Sequence, residues 1–148
     1  METALYLPVK RFLEKLGFTV KGEIGGCDLV ALSGDDPPIV VIGELKLSFN
    51  LELVLQGVDR AGACDEVWLA ARMSLRGKGR ESDARYRNLC RRLGFGMLAV
   101  TAPAMSRCWS SRRRPARAVT RRSARASSRS IGGARAIRRW AAARARRS

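Results

Sequence analysis

The sequence has no histidine, no CxxC pair and no apolar run near the ~18 residues that a membrane span needs. Without histidine or paired cysteines, a Cys/His zinc site is not expected. The four cysteines (Cys27, Cys64, Cys90 and Cys108) show no disulfide framework. The first three lie inside apolar patterns, where a reduced cysteine acts as a small core residue. The first 20 residues lack the basic and apolar regions of a secretory leader, so the reducing cytoplasm is the expected setting, with no membrane partner.

Charge is missing in a second way. Residues 103–148 contain 15 Arg but no Lys, Asp or Glu, and also no Asn, Gln, Tyr or Phe. All 13 acidic residues precede them, balanced by 14 Lys and Arg, so residues 1–102 are nearly neutral and the tail carries +15 of the net +16. The chain's 148 residues therefore suit one small domain, 1–102, followed by a low-complexity segment, 103–148, expected to be irregular or disordered.

Within the first 102 residues the periodicities change in order. Leu5, Val9, Phe12, Leu13 and Leu16 repeat at helical spacing up to Gly17. Pro8 fits that helix only within its first turn. Short strands follow at 18–24, 27–33 and 39–48, separated by Gly25-Gly26 and by the turn-rich GDDPP. Asn50 suits the N-cap of a helix carrying Leu51, Val54, Leu55 and Val58 on one face. A strand at 66–72, a basic loop, a helix with Tyr86, Leu89, Cys90 and Leu93, and a strand at 95–100 complete the order α-β-β-β-α-β-α-β. The expected class is α/β.

The third strand, VVIGELKLS, places Glu44 and Lys46 on one face of an otherwise apolar segment. Taking 27–33 and 39–48 as an antiparallel hairpin around Asp36 sets Leu32 against Val40, Val30 against Ile42 and Asp28 against Glu44. Two opposed carboxylates repel unless a cation lies between them. Lys46 is one candidate and a divalent metal the other. Mg²⁺ takes one or two carboxylates and completes its shell with water and phosphate oxygens. A solvated face with a weak surface ion pair is the plainer reading. Against it, Val40 and Ile42 begin the same face as apolar residues.

An Asp in one strand and Glu-x-Lys in the next, within this element order, resemble the PD-(D/E)xK nuclease superfamily. The run GEIGGCDLVAL … VVIGELKLSFNLELVLQGVDR is more similar still to a bacterial family of PD-(D/E)xK phosphodiesterases of unassigned function. The resemblance covers roughly residues 5–101 and none of the tail. It implies a restriction-endonuclease-like three-layer core with a mixed sheet. It also implies Mg²⁺ or Mn²⁺ held by Asp28 and Glu44, Lys46 as the catalytic lysine, and Gln56 assisting from the following helix. Glu23 and Glu14 are candidates for a further acidic ligand, and either also reads as an ordinary surface residue.

Arg60, on the polar stripe with Gln56, and the loop cations Arg72, Arg76, Lys78 and Arg80 are candidate nucleic-acid contacts, since clustered cations on a loop suit phosphate backbones. The expected activity is metal-dependent hydrolysis of nucleic-acid phosphodiesters, DNA first. The alternative is a nuclease-fold module that binds nucleic acid without cutting it. A chain this small would address two strands as a homodimer. For the tail, a nucleic-acid tether with Trp109 and Trp140 stacking on bases competes with a frameshifted terminus, because its residue set is what GC-rich codons give out of frame.

Overall fold

In the computed structural model, which describes residues 3–101, the backbone of 105–109, and Ile137, Arg139, Trp140 and Ala143, the alternating segments form one sheet. β1 (Thr19–Ile24), β2 (Cys27–Leu32) and β3 (Val40–Lys46) make an antiparallel meander. α2 (Leu51–Ala61) then leads to β4 (Glu66–Arg72), and α3 (Ala84–Leu93) leads to β5 (Gly96–Val100). β3, β4 and β5 are parallel neighbours, as helical crossovers require. β6 (Met105–Trp109) adds antiparallel to β5, giving six strands in sequential order among the described residues. The molecule is α/β with a mixed sheet.

The sheet therefore runs past the boundary expected near Ala102. An edge strand is held by backbone hydrogen bonds to one neighbour, which need no side-chain alternation to announce them. The rest of the expected tail lies outside the described residues, apart from four helical positions. Of these, Ile137 is 2% exposed and packs on Cys27, Val30 and Ile42, with Trp140 beside it.

Helices cover both faces. α1 (Thr3–Lys15) buries Leu5, Val9 and Leu13 against Leu29, Ala31, Val41, Leu45, Trp68 and Leu98. Pro8 sits inside this helix rather than in its first turn. Its missing N–H and ring clash cost about 3 kcal/mol in a helix interior, which the buried Leu5–Val9–Leu13 stripe offsets. On the opposite face, α2 and α3 pack Leu53, Val54, Tyr86 and Cys90 onto Val67, Leu69, Met97 and Ala99.

α2 differs from expectation in rotation. Its buried residues are Leu53, Val54 and Gly57, whereas Leu51, Leu55 and Val58 are 64%, 48% and 47% exposed. Gly57 sets the angle: a Cβ there would lie 2.9 Å from Phe95 and 3.0 Å from Leu69, so only glycine lets the helix come this close. Asn50 caps α2 as expected, its Oδ1 accepting the Leu53 N–H at 2.9 Å. The Tyr86 hydroxyl donates to the Asn50 carbonyl at 2.7 Å, joining α3 to the start of α2. Among the described residues, no helix is long and apolar enough to cross a membrane.

Candidate functional site

The expected hairpin register holds where the ladder is formed: Leu32 pairs with Val40, Val30 with Ile42 and Leu29 with Gly43. Beyond Leu29 the ladder stops and a side chain takes over. Asp28 Oδ2 accepts the Leu45 N–H at 2.7 Å, so the carboxylate replaces the next backbone rung. This fixes Asp28 beside Glu44.

Glu44 points to the α2 face with Ile42 and Lys46 and is 3% exposed. A buried carboxylate needs a cation or hydrogen-bond donors, and here the donor is Arg60. Arg60 Nε donates to Glu44 Oε1 at 2.8 Å from the last turn of α2. Arg60 Nη2 also donates to the Gly26 carbonyl.

That second anchor follows from the Gly25-Gly26 turn. Ile24 pairs with Cys27, and both central glycines have positive φ, +61° and +77°. This is the two-residue hairpin in which both central residues need left-handed backbone, a conformation glycine takes without penalty. The turn aims the Gly26 carbonyl at α2.

Burial pushes the Glu44 carboxyl above its ordinary value; the Arg60 hydrogen bond opposes this, and the neighbouring Asp28 carboxylate adds to it. The Cys27 thiol is pushed up mainly by burial. Burial likewise raises Cys64 to about 12 and Cys90 to about 11, as fits core cysteines. Cys64 Sγ lies 3.5 Å from the Arg60 carbonyl and donates to it at the end of α2.

Lys46 is half-buried on the same face, one step past Glu44, with no side-chain hydrogen bond or ion pair among the described residues. Gln56 is half-buried one helical turn before Arg60. The structure thus holds Asp28 and Arg60 against Glu44, with Lys46 next on the same face of β3 and Gln56 one helical turn before Arg60. It does not add Glu23. That residue has φ +52° at the end of β1, and among the described residues no three His, Cys, Asp or Glu side chains cluster as a metal site. Glu14 is farther removed in role, forming an exposed helical pair with Lys10 at 3.8 Å.

The basic loop leaves β4 at Arg72. Lys46 is in register with Ala71, so Arg72 lies one residue beyond the strand position beside Lys46. Arg72, Arg76 and Lys78 are exposed, while Arg80 pairs with Asp83 at 3.7 Å. The loop is pinned by Glu81, which is 3% exposed and accepts the Ser74 N–H at 2.6 Å through Oε1. Gly79 makes room, since a Cβ there would fall 2.0 Å from Glu81 Oε2.

Arg60, expected among the nucleic-acid contacts, is the partner of Glu44, and Glu81 carries no signal in the sequence that sets it apart. The only available signal for Arg60 was the rule that an acid on a buried strand needs a cation within reach, and Arg60 lies on the polar stripe of the next helix. No family model matches the chain, and no curated protein or solved structure matches it.

Proposed function

We propose that the chain is a metal-dependent phosphodiesterase of the PD-(D/E)xK type, with a restriction-endonuclease-like core, that hydrolyses nucleic acid, DNA first. One observation carries the reading: a buried carboxylate, Glu44, stands beside a half-buried second, Asp28, with Lys46, unpaired among the described residues, next on the same face. A carboxylate set beside a buried one raises the cost of ionising it, so the pairing favours a cation at the site.

The donor set fits Mg²⁺ or Mn²⁺. Two carboxylates suffice for a hard cation that keeps water and phosphate oxygens in its remaining positions, and Asp28 and Glu44 would hold it. When bound, such a metal polarises the phosphodiester and activates water. The chain's own groups supply the rest. The Lys46 ammonium offsets charge that builds on the phosphate oxygens and orients the attacking water. Gln56 offers an amide to the same space. Arg72, Arg76 and Lys78 hold the backbone of the nucleic acid without reading its sequence.

A second reading, a nucleic-acid-binding module without hydrolysis, is favoured by the Glu44–Arg60 pair, which already neutralises one carboxylate. Metal dependence separates the two. The full chain is incubated with single- and double-stranded DNA and with RNA, in Mg²⁺, in Mn²⁺ and in chelator. Hydrolysis that needs the metal and falls by about 10²–10³ in Lys46→Ala supports the enzyme, by analogy with removing one transition-state donor. Binding that is indifferent to chelator, with no hydrolysis, supports the module.

A further inference from the structure

We infer that Arg60 is an internal counter-cation which occupies the Glu44 carboxylate until a divalent metal takes its place, so that metal binding at Asp28 and Glu44 competes with an ion pair built into the fold. The inference rests on the metal-dependent reading above.

Three features point the same way. First, the Asp28 and Glu44 carboxylates share a poorly hydrated spot, and Arg60 is the cation the described residues bring to it. Second, the contact is partial. Arg60 meets Glu44 Oε1 through Nε, while Nη2 is turned to the Gly26 carbonyl, so this is not the two-pronged clamp a guanidinium makes on a committed structural carboxylate. Third, Arg60 has a way out. Its side chain is 25% exposed against 4% for Glu44, and it emerges from the last turn of α2 beside the Gly25-Gly26 turn.

A guanidinium and a divalent cation at the same carboxylate repel strongly where water is scarce. Binding of one must weaken the other by the same factor. Arg60 thus neutralises Glu44 in the metal-free protein and lowers the apparent metal affinity.

The test is Mn²⁺ binding to the full chain, read from loss of the free-ion paramagnetic resonance signal, with melting temperature recorded in parallel. Arg60→Gln is expected to bind Mn²⁺ about tenfold more tightly than wild type, as removal of a nearby unit charge implies. Its melting temperature should be lower without metal and should rise more when Mn²⁺ is added. Arg60→Lys keeps the charge on a shorter stem and should fall between the two; it decides the matter if Arg60→Gln does not fold. Glu44→Gln should abolish the binding.

A positioning role for Arg60 gives the opposite order. Wild type that binds Mn²⁺ while both Arg60 variants bind equally or more weakly overturns the inference and leaves the metal-dependent reading standing. Absence of Mn²⁺ binding in every folded variant overturns both.

Discussion

Asp28 accepts the Leu45 backbone N–H through Oδ2 at 2.7 Å, so one carboxylate both closes the β2–β3 ladder and stands at the candidate metal position. These two duties separate by substitution. Asp28→Asn retains an acceptor oxygen for Leu45 and is expected to stay within about 1 kcal/mol of wild type, whereas Asp28→Ala leaves the N–H unpaired and loses about 1–3 kcal/mol. Both should lose hydrolysis. Urea unfolding beside a cleavage assay gives the two numbers, and equal stability of the two variants would remove the structural half of the claim.

The raised Glu44 carboxyl sets a direction for pH. Its folded value lies above its ordinary 4.5, with burial as the main cause. The folded state therefore binds more protons across that interval, and its stability falls as pH rises from 4.5 through the folded value. The Glu44 contribution is most favourable below the interval and is lost above it. Unfolding free energies of wild type and Glu44→Gln, measured from pH 4 to pH 8, should show wild type losing ground to the variant as pH increases. Parallel curves would mean that Glu44 is not perturbed.

Gly57 seats the helix that carries Gln56 and Arg60. A Cβ there would meet Phe95 at 2.9 Å, Leu69 at 3.0 Å and Val67 at 3.2 Å. Overpacking costs about 1–3 kcal/mol, against a gain of about 1 kcal/mol in helix propensity. Gly57→Ala should therefore be destabilising by up to about 2 kcal/mol and should reduce activity by shifting α2. A stabilised variant would show that the close approach is not needed.

The exposed loop cations are expected to touch phosphates. Replacing Arg72, Arg76 and Lys78 together with Gln should leave stability within about 0.5 kcal/mol. It should also flatten the dependence of log affinity on log salt by up to about 0.9 per lost contact. DNA titrations at several salt concentrations measure this, with the arginine tail as a constant background in both proteins. An unchanged slope would assign the loop to solvent.

Much of the domain is legible in its residues. Centring the hairpin on Asp36 within GDDPP is enough for the β2–β3 register, because the turn sets which residues oppose; Leu29 to Leu32 and Val41 to Ile42 are buried on both faces and do not themselves distinguish a slip of one residue. The cap at Asn50 and the helix stop at Gly17, whose φ is +90°, are equally local. What escaped was non-local. The rotation of α2 depends on how Gly57 meets Phe95, which lies between α3 and β5. The Glu44–Arg60 pair joins residues 16 apart across a helix and a strand. Glu81 sits among ordinary loop charges and only its burial sets it apart. β6 carries no alternation, being held at an edge by backbone bonds.

The most direct measurement compares full-length wild type with Glu44→Gln on labelled DNA in Mn²⁺. The full chain is the proper sample, because β6 extends the sheet and Ile137 packs on it. The expected result is metal-dependent cleavage by wild type that disappears in the variant while its fold and DNA binding persist. Equal cleavage by the two proteins, or none by a folded wild type on any nucleic acid, would contradict the assignment of Asp28 and Glu44 as a hydrolytic metal site.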